Sequence, residues 1–74
     1  MNAARIALAE LGNRLREARG AKGWTQAQLA ERIGVSRKTI NTVENGVFVP
    51  STVLAVKLAS ALEASVETLF FLAE

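Results

Sequence analysis

Two capped segments, TQAQLAERI (25–33) and SRKTINTVEN (36–45), are separated only by Gly34 and Val35. Thr25 with Gln28 three residues on has the spacing of a capping box, and Ser36 is a good cap for the second segment. Gly34 and Gly46 are natural left-handed stops. Leu29, Ala30 and Ile33 share one face of the first segment, and Ile40 and Val43 one face of the second. With Gly at the bend and Val35 tucked inward, so short a connection forces the two helices to cross steeply. Any fold open to this chain has to be built around that crossing.

Glycines and capping residues divide the remainder into three more helical segments. The first is expected from Ala4 to Lys22, with Leu8, Leu11, Leu15 and Ala18 forming one apolar stripe. Gly12 and Gly20 lie inside it, each costing about 1 kcal/mol against Ala, so residues 1–12 read as an extension of helix one that can fray or form a separate turn. Gly23 ends the segment and Trp24 follows as a core anchor. Pro50 and Ser51 open a fourth helix carrying Leu54, Leu58, Ala61 and Leu62 inward. Ser65 caps a short fifth helix with Val66, Leu69 and Phe70. Nowhere is there β-type alternation. The expectation is all-α: one compact five-helix domain over residues 1–74.

Composition narrows the chemistry. Half of the 74 residues are hydrophobic, enough for one small core, yet a chain this short buries only about 60% of its unfolded surface. Cys, His, Asp and Tyr are absent. Without Cys or His there is no disulfide staple and no thiolate or imidazole metal site. The seven acids are all Glu, spread along helices with no paired cleft, so neither catalysis nor a cofactor is expected. The most apolar window, residues 47–62, is interrupted by Pro50 and Lys57 and falls short of the roughly 20 residues of a membrane span. The start, MNAARIALAE, lacks the long apolar run and cleavage site of a signal peptide, which points to the cytoplasm.

The net charge is only +2, but residues 1–38 hold eight Lys and Arg against three Glu, whereas residues 39–74 hold one Lys against four Glu. A basic half is the electrostatic footprint of a polyanionic partner. The segment 36–45 sharpens this. At about 100° per residue, the Ile40–Val43 direction defines the inside, and Lys38, Asn41, Thr42 and Asn45 fall within about 50° of the opposite direction. Arg37 lies on the flank near the N-terminal end. The outer face carries hydrogen-bonding groups and no acid, unlike a solvated helix that mixes Glu with Lys. Glu44 lies at the edge of the inner face, where it calls for a partner.

The residues RLREARGAKGWTQAQLAERIGVSRKTINTVENG, followed by VP-S and LASAL, resemble the Cro and phage-repressor (XRE-type) family of helix-turn-helix DNA-binding domains, over about residues 13–72. The resemblance implies a lambda-repressor-like domain whose third helix, residues 36–45, enters the major groove of double-stranded DNA. It implies base reading by Arg37, Lys38 and Thr42, with Asn41 close by. Phosphate contacts are implied for the start of helix two (Thr25, Gln26), for Ser36 and Thr39, and for Asn45, Gly46, Val47 and Phe48. It further implies an ion pair between Arg19 and Glu44. Three positions depart from the family's pattern: VFV in the loop after helix three, Glu63 where a Gly is common, and Gly20 within helix one.

One small domain reads only about half a turn of DNA, so a homodimer on a pseudo-palindromic operator is expected. Phe71, Leu72 and Phe48 are surplus to a monomer core and are the candidate interface. The expected function is a sequence-specific transcriptional regulator, a repressor, with no small-molecule ligand. The alternative is a protein-interaction module, such as an antitoxin or adaptor, that retains the fold.

Overall fold

The structure is a computed structural model that describes residues 10–73. Five helices, α1 (Leu15–Ala21), α2 (Gln26–Ile33), α3 (Arg37–Glu44), α4 (Thr52–Leu62) and α5 (Val66–Leu69), lie between two short strands, β1 (Glu10–Asn13) and β2 (Phe70–Ala73). Thr25 and Gln28 close a reciprocal capping box at the start of α2, and Ser36, Ser51 and Ser65 cap α3, α4 and α5 through their side chains. The α2–α3 turn passes through Gly34 in the left-handed conformation, and the Val35 N–H returns to the Ala30 carbonyl at 3.0 Å. That backbone closure fixes the turn between the two helices.

Leu15, Leu29, Ile40, Val43, Leu58 and Leu69 are essentially inaccessible, so every helix delivers at least one side chain to a single core. Trp24 packs on its margin with the Arg32 guanidinium 4.1 Å from the ring centroid. Among the described residues no helix is long and apolar enough to cross a membrane.

The ends of the domain differ from the expected all-helical course. The first helix begins at Leu15 instead of Ala4, and Leu11 and Gly12 lie in a strand; Leu8 falls outside the described residues. The fifth helix stops at Leu69, and Phe70 and Phe71 begin β2 instead of continuing it. The two strands pair antiparallel, with Leu11 opposite Leu72 and Gly12 opposite Phe71. Gly12 shows why. The Phe71 ring lies over it, and a Cβ there would approach the ring to 2.5 Å. A glycine that weakens a helix is here the space into which an aromatic from the partner strand folds. The Arg14 guanidinium lies 4.3 Å from the centroid of that ring, so Phe71, expected at a dimer surface, packs at least in part within its own chain.

Glu63 takes the left-handed conformation (φ 54°) that ends α4, and its carboxylate accepts a hydrogen bond from Lys22 on the neighbouring turn. The turn that Gly commonly makes is thus made by Glu, with the surface pair helping to hold it. Gly20 sits in the last turn of α1 with open space where a side chain would be, and nothing in the structure explains it. Gly20→Ala is therefore expected to stabilise the domain by about 1 kcal/mol, read as a rise of several degrees in the melting temperature.

Candidate nucleic-acid interface

Glu44 is the only acid on α3, and its side chain is 0% accessible although its backbone reaches the surface. Arg19 of α1 meets it with two bonds, Nε to Oε2 at 2.6 Å and Nη2 to Oε1 at 3.1 Å. The third guanidinium nitrogen, Nη1, donates to the Trp24 carbonyl at 2.8 Å, so the fork is locked at both ends. Gln26 Nε2 adds a third donor to Oε1 at 3.1 Å, and Arg16 Nε lies 3.5 Å from the same oxygen. Burial on its own would raise the Glu44 carboxyl. The hydrogen bonds from Arg19, Gln26 and Arg16, with the Arg19 charge, outweigh it and hold the group below its ordinary value. Arg19 is reciprocally raised, first by its hydrogen bond to Glu44.

With Ile40 and Val43 buried, the opposite side of α3 is turned out. Arg37, Lys38 and Asn45 are exposed, and Asn41 and Thr42 are half-buried. The Thr42 hydroxyl donates to the Lys38 and Thr39 carbonyls at 3.0 Å each, which leaves its methyl and its lone pairs outward. The Ser36 and Thr39 hydroxyls bond each other at 2.9 Å over the first turn. At the mouth of α2 the capping box engages the N–H groups of Thr25 and Gln28, leaving those of Gln26 and Ala27 as first-turn donors. The loop after α3 is different. The N–H groups of Asn45, Gly46, Val47 and Phe48 all donate to α3 carbonyls, so of those four residues only the Asn45 side chain retains a donor for phosphate.

Two residues that sequence reasoning passed over also belong here. Asn13, at the end of β1, accepts from the Leu15 N–H at 3.1 Å and donates through Nδ2 to the Val43 carbonyl at 3.0 Å, tying β1 to the last turn of α3. The bond to the residue two on is an Asx-turn, a local signal of Asn that could have been read. Arg16 donates through Nη2 to Asn45 Oδ1 at 3.2 Å, and no local pattern announces a contact between residues 29 apart.

Two helices joined by a tight Gly34 turn, an inward acid and an acid-free outer face are the features of a helix-turn-helix DNA-binding domain. The chain belongs to the helix-turn-helix family HTH_3, the XRE type of transcriptional regulator, which it matches over residues 15–74. It is 39% identical over 62 residues to the HTH-type transcriptional regulator YgzD of Bacillus subtilis, spanning 84% of this chain and 94% of that protein. Among solved structures it is similar to the restriction-modification controller protein C.AhdI from Aeromonas hydrophila, with a TM-score of 0.70, 42% identity and coverage of 74% of this chain and 80% of that one. It is also 36% identical over 56 residues to antitoxin HipB of Escherichia coli O6:H1, spanning 76% of this chain and 60% of HipB. The family binds double-stranded DNA and is not an enzyme class.

Truncating Glu44 leaves the Arg19 guanidinium without its partner. Glu44→Ala should cost about 3–5 kcal/mol, most of the stability of a domain this small, and an unchanged melting temperature would remove the assigned role. The pair also sets an acid limit. Because the folded carboxyl titrates below its ordinary value of 4.5, its contribution is complete above that value and is lost as pH falls through the lower folded one. The melting temperature of the wild type should therefore drop on acidification below about pH 4.5 more steeply than that of Glu44→Gln.

Proposed function

We propose that the chain is a sequence-specific regulator of transcription, a repressor, that reads the major groove with residues 36–45 as a homodimer on a pseudo-palindromic operator. The observation that carries this reading is the outer face of α3: Arg37, Lys38, Asn41, Thr42 and Asn45 point away from the core, and the helix's one acid is folded inward. Arg37 has the planar fork for guanine O6 and N7, and Lys38 reaches guanine acceptors or a phosphate. Thr42, its hydroxyl proton committed to the backbone, offers its methyl to thymine and its lone pairs to a donor. Thr25, Gln26, Ser36 and Thr39 lie at the mouths of α2 and α3, where free N–H groups favour phosphate oxygens. Asn45 serves the backbone at the other end. Its place of action is beside the chromosome, in the cytoplasm. Repression needs only that the occupied site exclude other proteins.

The exposed apolar side chains supply a surface for a second copy. Leu11 and Leu72 pair across the two-stranded sheet, and Leu11 also lines a cleft with Pro50 and Val56. Leu72 is 49% and Val56 53% exposed. Of the residues first considered for the interface, Leu72 and Phe48 are retained, and Phe71 is replaced by Leu11 and Val56. A two-fold interface there would place two reading helices about 34 Å apart on one side of the duplex.

The likeness to an antitoxin, with Val47, Val49 and Val53 also exposed, favours a second reading in which this apolar surface takes a different protein. Salt separates the two. Binding by the basic face loses affinity steeply between about 50 and 200 mM salt, and binding by the apolar face does not. Arg37→Ala should relax preference at one base position by about 1–3 kcal/mol while sparing the others. Equal loss on every sequence would make Arg37 a phosphate contact only. Val56→Glu should convert a dimer to a monomer in sedimentation, and an unchanged sedimentation coefficient would remove this face from the interface.

A further inference from the structure

Five side chains, from α1, α2, α3 and the α3 C-cap Asn45, form a run of four hydrogen bonds that one ion-pair contact closes into a ring along the outer side of α3. Gln26 Nε2 donates to Glu44 Oε1 at 3.1 Å, and Asn41 Nδ2 to Gln26 Oε1 at 3.4 Å. Asn45 Nδ2 donates to Asn41 Oδ1 at 3.3 Å, and Arg16 Nη2 to Asn45 Oδ1 at 3.2 Å. Arg16 Nε, 3.5 Å from Glu44 Oε1, completes the circuit. The ring has a fixed direction, and its two charged members impose it. A carboxylate only accepts, so Gln26 must turn its NH₂ to Glu44 and its oxygen to Asn41. A guanidinium only donates, so Asn45 must turn its oxygen to Arg16 and its NH₂ to Asn41. Both constraints arrive at Asn41 with the same sense: its NH₂ meets the oxygen of Gln26 and its oxygen meets the NH₂ of Asn45.

We propose that Arg16, on α1 and outside the reading helix, is a specificity-determining positioning residue that fixes the amide polarity of Asn41 through Asn45, so that Asn41 presents one N–H and one oxygen lone pair in a set order to adenine. An amide has two N–H groups and two oxygen lone pairs, and the ring takes one of each from Asn41. The remaining N–H and lone pair form the donor–acceptor couple that matches adenine N7 and N6 in the major groove. The inter-amide bonds, at 3.3 and 3.4 Å, are long, so neither would hold a side-chain amide by itself. The order comes from the two ends. Arg16 is 63% exposed at its side chain, and the Arg19–Glu44 pair remains when it is replaced, which makes it a point at which polarity can be changed without unfolding the domain. The assignment rests on the DNA-reading proposal above.

The test has two arms. In the first, side-chain amide resonances of ¹⁵N-labelled wild type, Arg16→Met and Arg16→Lys are compared without DNA. The ring predicts that Arg16→Met shifts the amide signals of both Asn45 and Asn41, although Arg16 touches only Asn45 and the Glu44 carboxylate. A shift confined to Asn45 overturns the proposal. In the second, the same proteins select duplexes from a random pool. The wild type should enrich an adenine that Arg16→Met reads less well by on the order of tenfold. Arg16→Lys, which keeps the charge but lacks the fork that spans Asn45 and Glu44, should retain affinity for the pool and lose that preference. If Arg16→Lys keeps the wild-type preference, Arg16 acts as a plain phosphate-facing charge and the proposal fails. A wild type that enriches no sequence overturns the regulatory reading and this assignment with it, and the first arm still reports whether the ring exists.

Discussion

The carboxylate of Glu44 is withdrawn from water at the junction of α1, α2 and α3, and the functional surface depends on how it is satisfied. A buried charge is costly unless it is paired and hydrogen-bonded. Arg19 supplies both the charge and the fork, and Gln26 a third bond from a different helix. That single requirement joins α1 to α3 through the ion pair and α2 to α3 through the amide, in a domain with no disulfide to do so. It also removes the one negative side chain of α3 from the face that would otherwise repel phosphate. The chemistry of the outer surface is thus set by an interaction underneath it.

From that anchor the polarity of the surface follows by steps. Glu44 orients Gln26, Gln26 faces Asn41, and Asn45 is held from the far side by Arg16. Asn13 ties β1 to the carbonyl of Val43, one residue before Glu44, so the two-stranded sheet bears on the same turn of α3. The two-stranded sheet and α3 are mechanically continuous for that reason.

The central helices were legible because their signals are local. Caps at Thr25, Ser36, Ser51 and Ser65, the Gly34 bend and the 3–4 spacing of core residues each lie within one or two turns of chain. The inward position of Glu44 followed from helical angle alone, and its partner from family resemblance. The pairing of β1 with β2 was not legible. Strands of four residues are too short to display alternation, and Gly12 acquires its meaning only from Phe71, which no local pattern brings beside it. Residues 45–48 were expected at phosphate, and the backbone donors there are in fact committed to closing the last turn of α3. Arg16 looked like one more cation of a basic helix, because a bond across 29 residues leaves no trace in spacing.

Titration of the ¹⁵N-labelled protein with duplex DNA at low salt, followed by backbone and side-chain amide shifts, tests the account most directly. The largest shifts should fall at residues 36–42 and at the first turn of α2, with the two-stranded sheet and the outer face of α4 little changed by DNA. Largest shifts along Leu11, Val53, Val56 and Leu72, with α3 unmoved, would contradict it.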